Sequence, residues 1–102
     1  MNKLVEIRRV TVVADVVLER MLLEEFTKLG AKGYTCMDCH GKGRHGVVEG
    51  VDPFTAALVR IELLVQPDAA QKIIDYLRRE VFANYACTAC VETVEVASSH
   101  TF

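Results

Sequence analysis

The chain has 102 residues, enough for one domain and too few for two ordinary cores. Half of it is apolar (51%) and a quarter charged (25%), a balance that excludes a disordered chain. A net charge of −2 excludes a strong global attraction to nucleic acid, and no apolar run approaches the roughly 20 residues that a membrane span needs.

The first residues, MNKLVEIRRVTVV, carry too short an apolar stretch for a secretory signal. A cytoplasmic protein is therefore expected, with its four cysteines as reduced thiols. LVEIRRVTVVA (Leu4 to Ala14) is rich in β-branched residues and roughly alternating, which predicts a strand. A helix follows, with Asp15 as its cap, Leu18, Leu22, Phe26 and Leu29 at helical spacing, and Gly30 as its stop. GYTCMDC (Gly33 to Cys39) reads as a second strand and AALVRIELLV as a third. PDAAQKIIDYLRREVF predicts one amphipathic helix presenting Ile73, Ile74, Leu77 and Val81. CTACVETVEVA closes the chain as a fourth strand, followed by SSHTF.

The order β-α-β, β-α-β predicts an α+β, ferredoxin-like βαββαβ domain: a four-stranded antiparallel sheet with two helices on one face. Apolar residues at alternate positions of Leu4 to Val13 and Ala57 to Val65 supply both sheet faces. An apolar helix-free face, covered by further copies in a homo-oligomer, is thus expected. The connection from His40 to about Thr55 takes roughly 15 residues where a hairpin normally takes two to five, which marks it as a candidate functional loop.

CMDCHGKGRHG (Cys36 to Gly46) admits two chemistries. Two C-x-x-C pairs, Cys36/Cys39 and Cys87/Cys90, with His40 and His45 nearby, suggest metal. Strand residues i and i+3 point to opposite faces, however, and the second and fourth strands are expected at opposite edges, so the pairs should not meet within one subunit. The alternative is an anion loop. Gly41, Gly43 and Gly46 free the backbone to present N–H groups, Lys42 supplies a point charge, and Arg44 a fork suited to phosphate. The G-x-x-x-x-G-K-[ST] pattern is missing from the sequence. FANYAC (Phe82 to Cys87), between the second helix and the last strand, adds Asn84 and Tyr85 to the candidates.

GAKGYTCMDCHGKG (Gly30 to Gly43), FANYAC and the terminal HTF together resemble the PII-like signalling proteins. The resemblance is to their carbon-related branch: the carboxysome-associated PII protein CPII and the bicarbonate-transporter-associated SbtB. It covers essentially the whole chain and implies a homotrimer that binds adenine nucleotides, ADP or AMP foremost, in clefts between subunits. Bicarbonate is implied as a second ligand, and a bicarbonate transporter or carboxysome-associated protein as the partner. By position, residues 40–55 would be the T-loop, 82–87 the B-loop and 98–102 the C-terminal element. Gly33, Tyr34 and Thr35 would line the cleft, Gly41, Lys42, Gly43 and Arg44 would face phosphate, and Asn84, Tyr85, Ala86 and Cys87 would supply further contacts. Cys87 departs from the family's F-N-D-Y-A-G segment, and the C-terminal cysteine pair of many transporter-associated members is missing. The implied role is a non-enzymatic sensor whose ligand orders a loop and so selects a partner. The alternative is a metal-binding trimer resembling the CutA proteins. An enzyme is the weakest reading, since Asp38, Glu49 and Asp52 form no recognisable acid–base pair.

Overall fold

The computed structural model describes residues 3–41 and 57–102. Strand β1 (Val5–Asp15) leads through a 3-10 turn (Val16–Leu18) into helix α1 (Glu19–Lys28), then β2 (Thr35–His40) and β3 (Ala57–Val65). Helix α2 (Pro67–Tyr76) continues as a π-helical turn (Leu77–Val81) before β4 (Cys87–Val96). The sheet order is β2-β3-β1-β4 with every neighbouring pair antiparallel. This is the expected ferredoxin-like arrangement, with β2 and β4 at opposite edges.

The two central strands carry the core because their alternation matches the pleat. Val10, Val12 and Ala14 stand opposite Leu63, Ile61 and Val59, and all six are buried on the helix side. Leu22 and Phe26 of α1 and Ile73 of α2 close over them, and Phe26 meets Tyr76 edge-to-face at 6.4 Å. Asp15 caps the first helical turn as anticipated, its Oδ1 accepting from the Val17 N–H at 2.9 Å. Gly30 stops α1 at φ 118°, and a Cβ there would also sit 3.1 Å from the Ala69 Cβ. Left-handed backbone and helix–helix proximity both demand glycine at this position.

Two expectations change. The second helix is not uniform: Phe82 N–H donates to the Leu77 carbonyl at 2.8 Å, an i+5 bond that widens the last turn. The wide turn keeps Leu77 and Val81 buried while Arg78, Arg79 and Glu80 all face water. The helix-free face is also not an apolar sheet. The register puts Ile7, Val13 and Leu64 there together with Arg9, Thr11, Arg60, Glu62 and Glu92. Arg9 clasps Glu92 across the β1–β4 pair through two 3.1 Å bonds, Nε to Oε1 and Nη2 to Oε2. That hydrogen bond, then the charge itself, holds the Glu92 carboxyl below its usual range and the Arg9 guanidinium above. Arg9 and Glu92 come from different strands, so hydropathy along one strand could not reveal their pairing.

Candidate functional site

The connection from α1 to β2 is set by Gly30 and by Ala31, which is buried in the core and leaves Lys32, Gly33, Tyr34 and Thr35 exposed beyond it. These four residues form one wall of a cleft of about 500 Å³ on the helix-free side of the sheet. Its floor is Glu62 and Leu64 of β3, the former directly opposite Thr35. The other wall is the C-terminal tail, through His100, Thr101 and Phe102. The tail leaves β4 at one edge and returns to the opposite edge, where the Gln66 side chain donates to the Phe102 carbonyl at 3.1 Å.

The chemistry of this cleft is graded. Lys32 and His100 bring cationic and donor groups to the walls, Thr35 and Thr101 bring hydroxyls, and Glu62 sets a carboxylate on the floor, 3.8 Å from Arg60. The Tyr34 ring is about half exposed, open to a planar partner. Gly33 has an ordinary backbone conformation, and among the described residues nothing comes within 4 Å of a Cβ built on it. The fold therefore does not require glycine there. Such a cleft suits a ligand with an anionic end, hydroxyl donors and an aromatic face.

Gly33, Tyr34 and Thr35 are thus brought together with the tail. The remaining candidates are not. Gly41 lies six residues beyond Thr35, roughly 20 Å along the strand, packed beside Leu58. Lys42, Gly43 and Arg44 lie outside the described residues, as does most of the 40–55 loop. Asn84, Tyr85 and Ala86 form the turn that follows α2, with the Asn84 and Tyr85 N–H groups both donating to the Val81 carbonyl at 3.1 and 3.0 Å. This turn enters β4 at the far edge of the sheet. Cys87 opens that strand opposite Ala14, and burial pushes its thiol up to about 11. Thr35 lies on the same rung as Cys90, so Thr35 and Cys87 are separated by roughly 14 Å across the sheet and roughly 10 Å along it.

Lys32, Glu62, Leu64 and the three tail residues were not among the site residues read from sequence. Glu62 left a trace there, a carboxylate between Ile61 and Leu63 in a run where only Arg60 is also charged. The cysteine pairs divide as strand geometry requires. Cys36 and Cys87 stand opposite the core residues Ile61 and Ala14, whereas Cys39 and Cys90 face the helix-free side. Burial, then Glu19 and Asp38, raises the Cys36 thiol. Among the described residues no three His, Cys, Asp or Glu side chains cluster as metal ligands, and no helix is long and apolar enough to cross a membrane.

The family model for the nitrogen regulatory protein P-II matches residues 7–101. A protein of Thermus thermophilus described as a PII-like signaling protein is 38% identical, with 94% of this chain and 92% of that one covered and a TM-score of 0.78. CPII of Thiomonas intermedia, a nitrogen regulatory PII-like protein, superposes at a TM-score of 0.80 with 19% identity over 96% of this chain and all (100%) of that one. That structure holds ADP, AMP and bicarbonate, and a second structure of CPII holds ADP and bicarbonate. At 21% identity and a TM-score of 0.80, over 96% of this chain and 95% of that one, the second likewise matches in fold.

Proposed function

Because the chain belongs to the nitrogen regulatory protein P-II family, we propose that it is a non-enzymatic PII-like signalling protein. In this reading it binds an adenine nucleotide, ADP or AMP, in the cleft between residues 32–35 and the tail. The observation that carries the proposal is the convergence of Gly33, Tyr34 and Thr35 with His100, Thr101 and Phe102, two segments far apart in sequence, around one graded cleft. Tyr34 offers a face to the base, Glu62 accepts from sugar hydroxyls, and Lys32 and His100 meet phosphate oxygens. Lys42, Gly43 and Arg44 are assigned to phosphate on their chemistry and sequence position, with Gly41 leading into them.

The turn at Asn84 to Cys87 cannot reach its own cleft, so its contribution requires a neighbouring subunit. Assembly as a homotrimer supplies one and covers the helix-free face. Two features favour such a cover. The Arg and Glu residues of that face are complementary to a second copy of themselves, and the Thr11 hydroxyl is buried on it without a hydrogen-bond partner among the described residues. Bicarbonate is proposed as the second ligand, and control of inorganic-carbon uptake or carboxysome function as the output, through a bicarbonate transporter or a carboxysome-associated protein. These finer assignments draw on the ligands of CPII, which matches this chain in fold.

Isothermal titration calorimetry with AMP, ADP and ATP, each with and without bicarbonate, tests the reading. Micromolar binding strengthened by bicarbonate is expected. Absence of heat from all three nucleotides would overturn it.

A further inference from the structure

We infer that Gln66 is the latch that holds the C-terminal tail as a wall of the cleft, and that it acts as a positioning residue for whatever the cleft binds. Gln66 occupies the N-cap of α2, where Ser, Thr, Asp or Asn would normally satisfy the first helical N–H groups. Its side chain makes no capping bond. The amide reaches the Phe102 carbonyl instead, at 3.1 Å. The chain thus forgoes a helix cap at this position and gains a bond to a segment 36 residues away.

Three further observations agree. Ala97 to Thr101 are all exposed, whereas Phe102 is half-buried, so the tail is anchored at its far end. The His100 N–H donates to the Ser98 hydroxyl at 3.0 Å, a local turn that redirects the chain as it leaves β4. Ile7 lies on the helix-free side and outside the helix-side core, yet is completely buried. The register puts it at the end of the sheet where the tail leaves β4 and where Gln66 follows β3, so the tail is placed to cover it. One hydrogen bond in an exposed setting is strong enough to bias a short tail and weak enough to release it. The acceptor is a main-chain carbonyl, so the latch depends on residue 66 and not on the side chain at 102.

Its consequence for ligand retention rests on the nucleotide reading above, and the experiment separates the two. The chain has no tryptophan, so F102W introduces a single reporter on the tail while leaving the carbonyl acceptor in place. In that background Q66D removes the donor and adds a good helix cap, whereas Q66K keeps a donor but puts an unfavourable charge at the helix N-terminus. The latch requires a crossed result. Q66D should raise the thermal midpoint yet shift the indole emission to the red and increase its quenching by acrylamide. Q66K should lower the midpoint yet keep the parent emission. With ADP and AMP as probes, Q66D should bind about fivefold more weakly than the parent. Emission in Q66D equal to the parent's, or emission in Q66K as exposed as in Q66D, would overturn the latch. If the native protein binds neither nucleotide, the functional reading fails, while the emission arm still decides the latch.

Discussion

The two edges of the sheet make an instructive contrast. At the β2 edge, the α1–β2 connection, the end of β3 and the returning tail converge, and a cleft with cationic walls and an acidic floor results. At the β4 edge, the turn from Phe82 to Cys87 carries equally plausible ligand groups, including an exposed Phe82 and Tyr85, with no wall facing them among the described residues. Both segments hang from the same core and both carry aromatic and polar residues. They differ in what the topology puts opposite them. An antiparallel sheet with two intervening strands cannot bring its edges together, so a complete site drawing on both must span two chains.

The largest test breaks one edge at a time. K32E with Y34A at the β2 edge, and N84A with Y85A at the β4 edge, should each weaken nucleotide binding about a hundredfold. In the proposed trimer, refolding the two variants together should restore tight binding in about a quarter of the sites, since a working site then needs one intact edge from each chain. Calorimetric stoichiometry reads that fraction. No recovery would mean that the two edges do not share a site. Taken singly, Tyr34→Ala should cost about tenfold in affinity, as expected for a stacked base, and Tyr85→Ala less. A reversed order, measured by titration, would move the base to the β4 edge.

Gly33→Ala sharpens the comparison further. With no positive φ and open space at its Cβ, the substitution should leave thermal stability unchanged or slightly higher while reducing nucleotide affinity severalfold. Arg44→Ala should weaken binding about fivefold and leave the oligomer intact by light scattering, in keeping with loss of a charged phosphate contact.

The smallest expected effect concerns Cys87 at the β4 edge. Burial raises its thiol from an ordinary 9.0 to about 11, so the folded state holds the proton more tightly than the unfolded one. Its contribution is fully present below pH 9 and is lost as pH rises through about 11. The thermal midpoint of the native protein should therefore fall more steeply over that window than that of Cys87→Ala. At about pH 8 a thiol reagent should modify Cys87 far more slowly in the folded protein than after unfolding.

Much of the fold was legible because periodicity is a local property. β-branched alternation marked β1 and β3, and the apolar stripe Leu18, Leu22, Phe26 marked the buried side of α1, with Leu29 only half-buried at its frayed end. Asp15 and Gly30 marked the helix limits through capping chemistry and backbone conformation. The opposite-face argument for the C-x-x-C pairs was also local, since it needed only the strand repeat of two. Gly33, Tyr34 and Thr35 were found through the resemblance of their segment to a family. The resemblance also marked residues 98–102 as a C-terminal element, whereas Glu62 and Leu64 were not found, because they approach the cleft only through the register of β2 against β3.

By itself the sequence determined the elements, their order and the side of each helix that is buried, because these follow from how one residue relates to those a few positions away. Only the tertiary structure decided that Arg9 and Glu92 pair across the helix-free face, that the tail crosses to the β2 edge, and that the Phe82 to Cys87 turn stands away from the cleft. Each of these depends on which strands lie side by side. That is fixed by the packing of two helices over one sheet and by the pairing of four strands, and no window of sequence contains it.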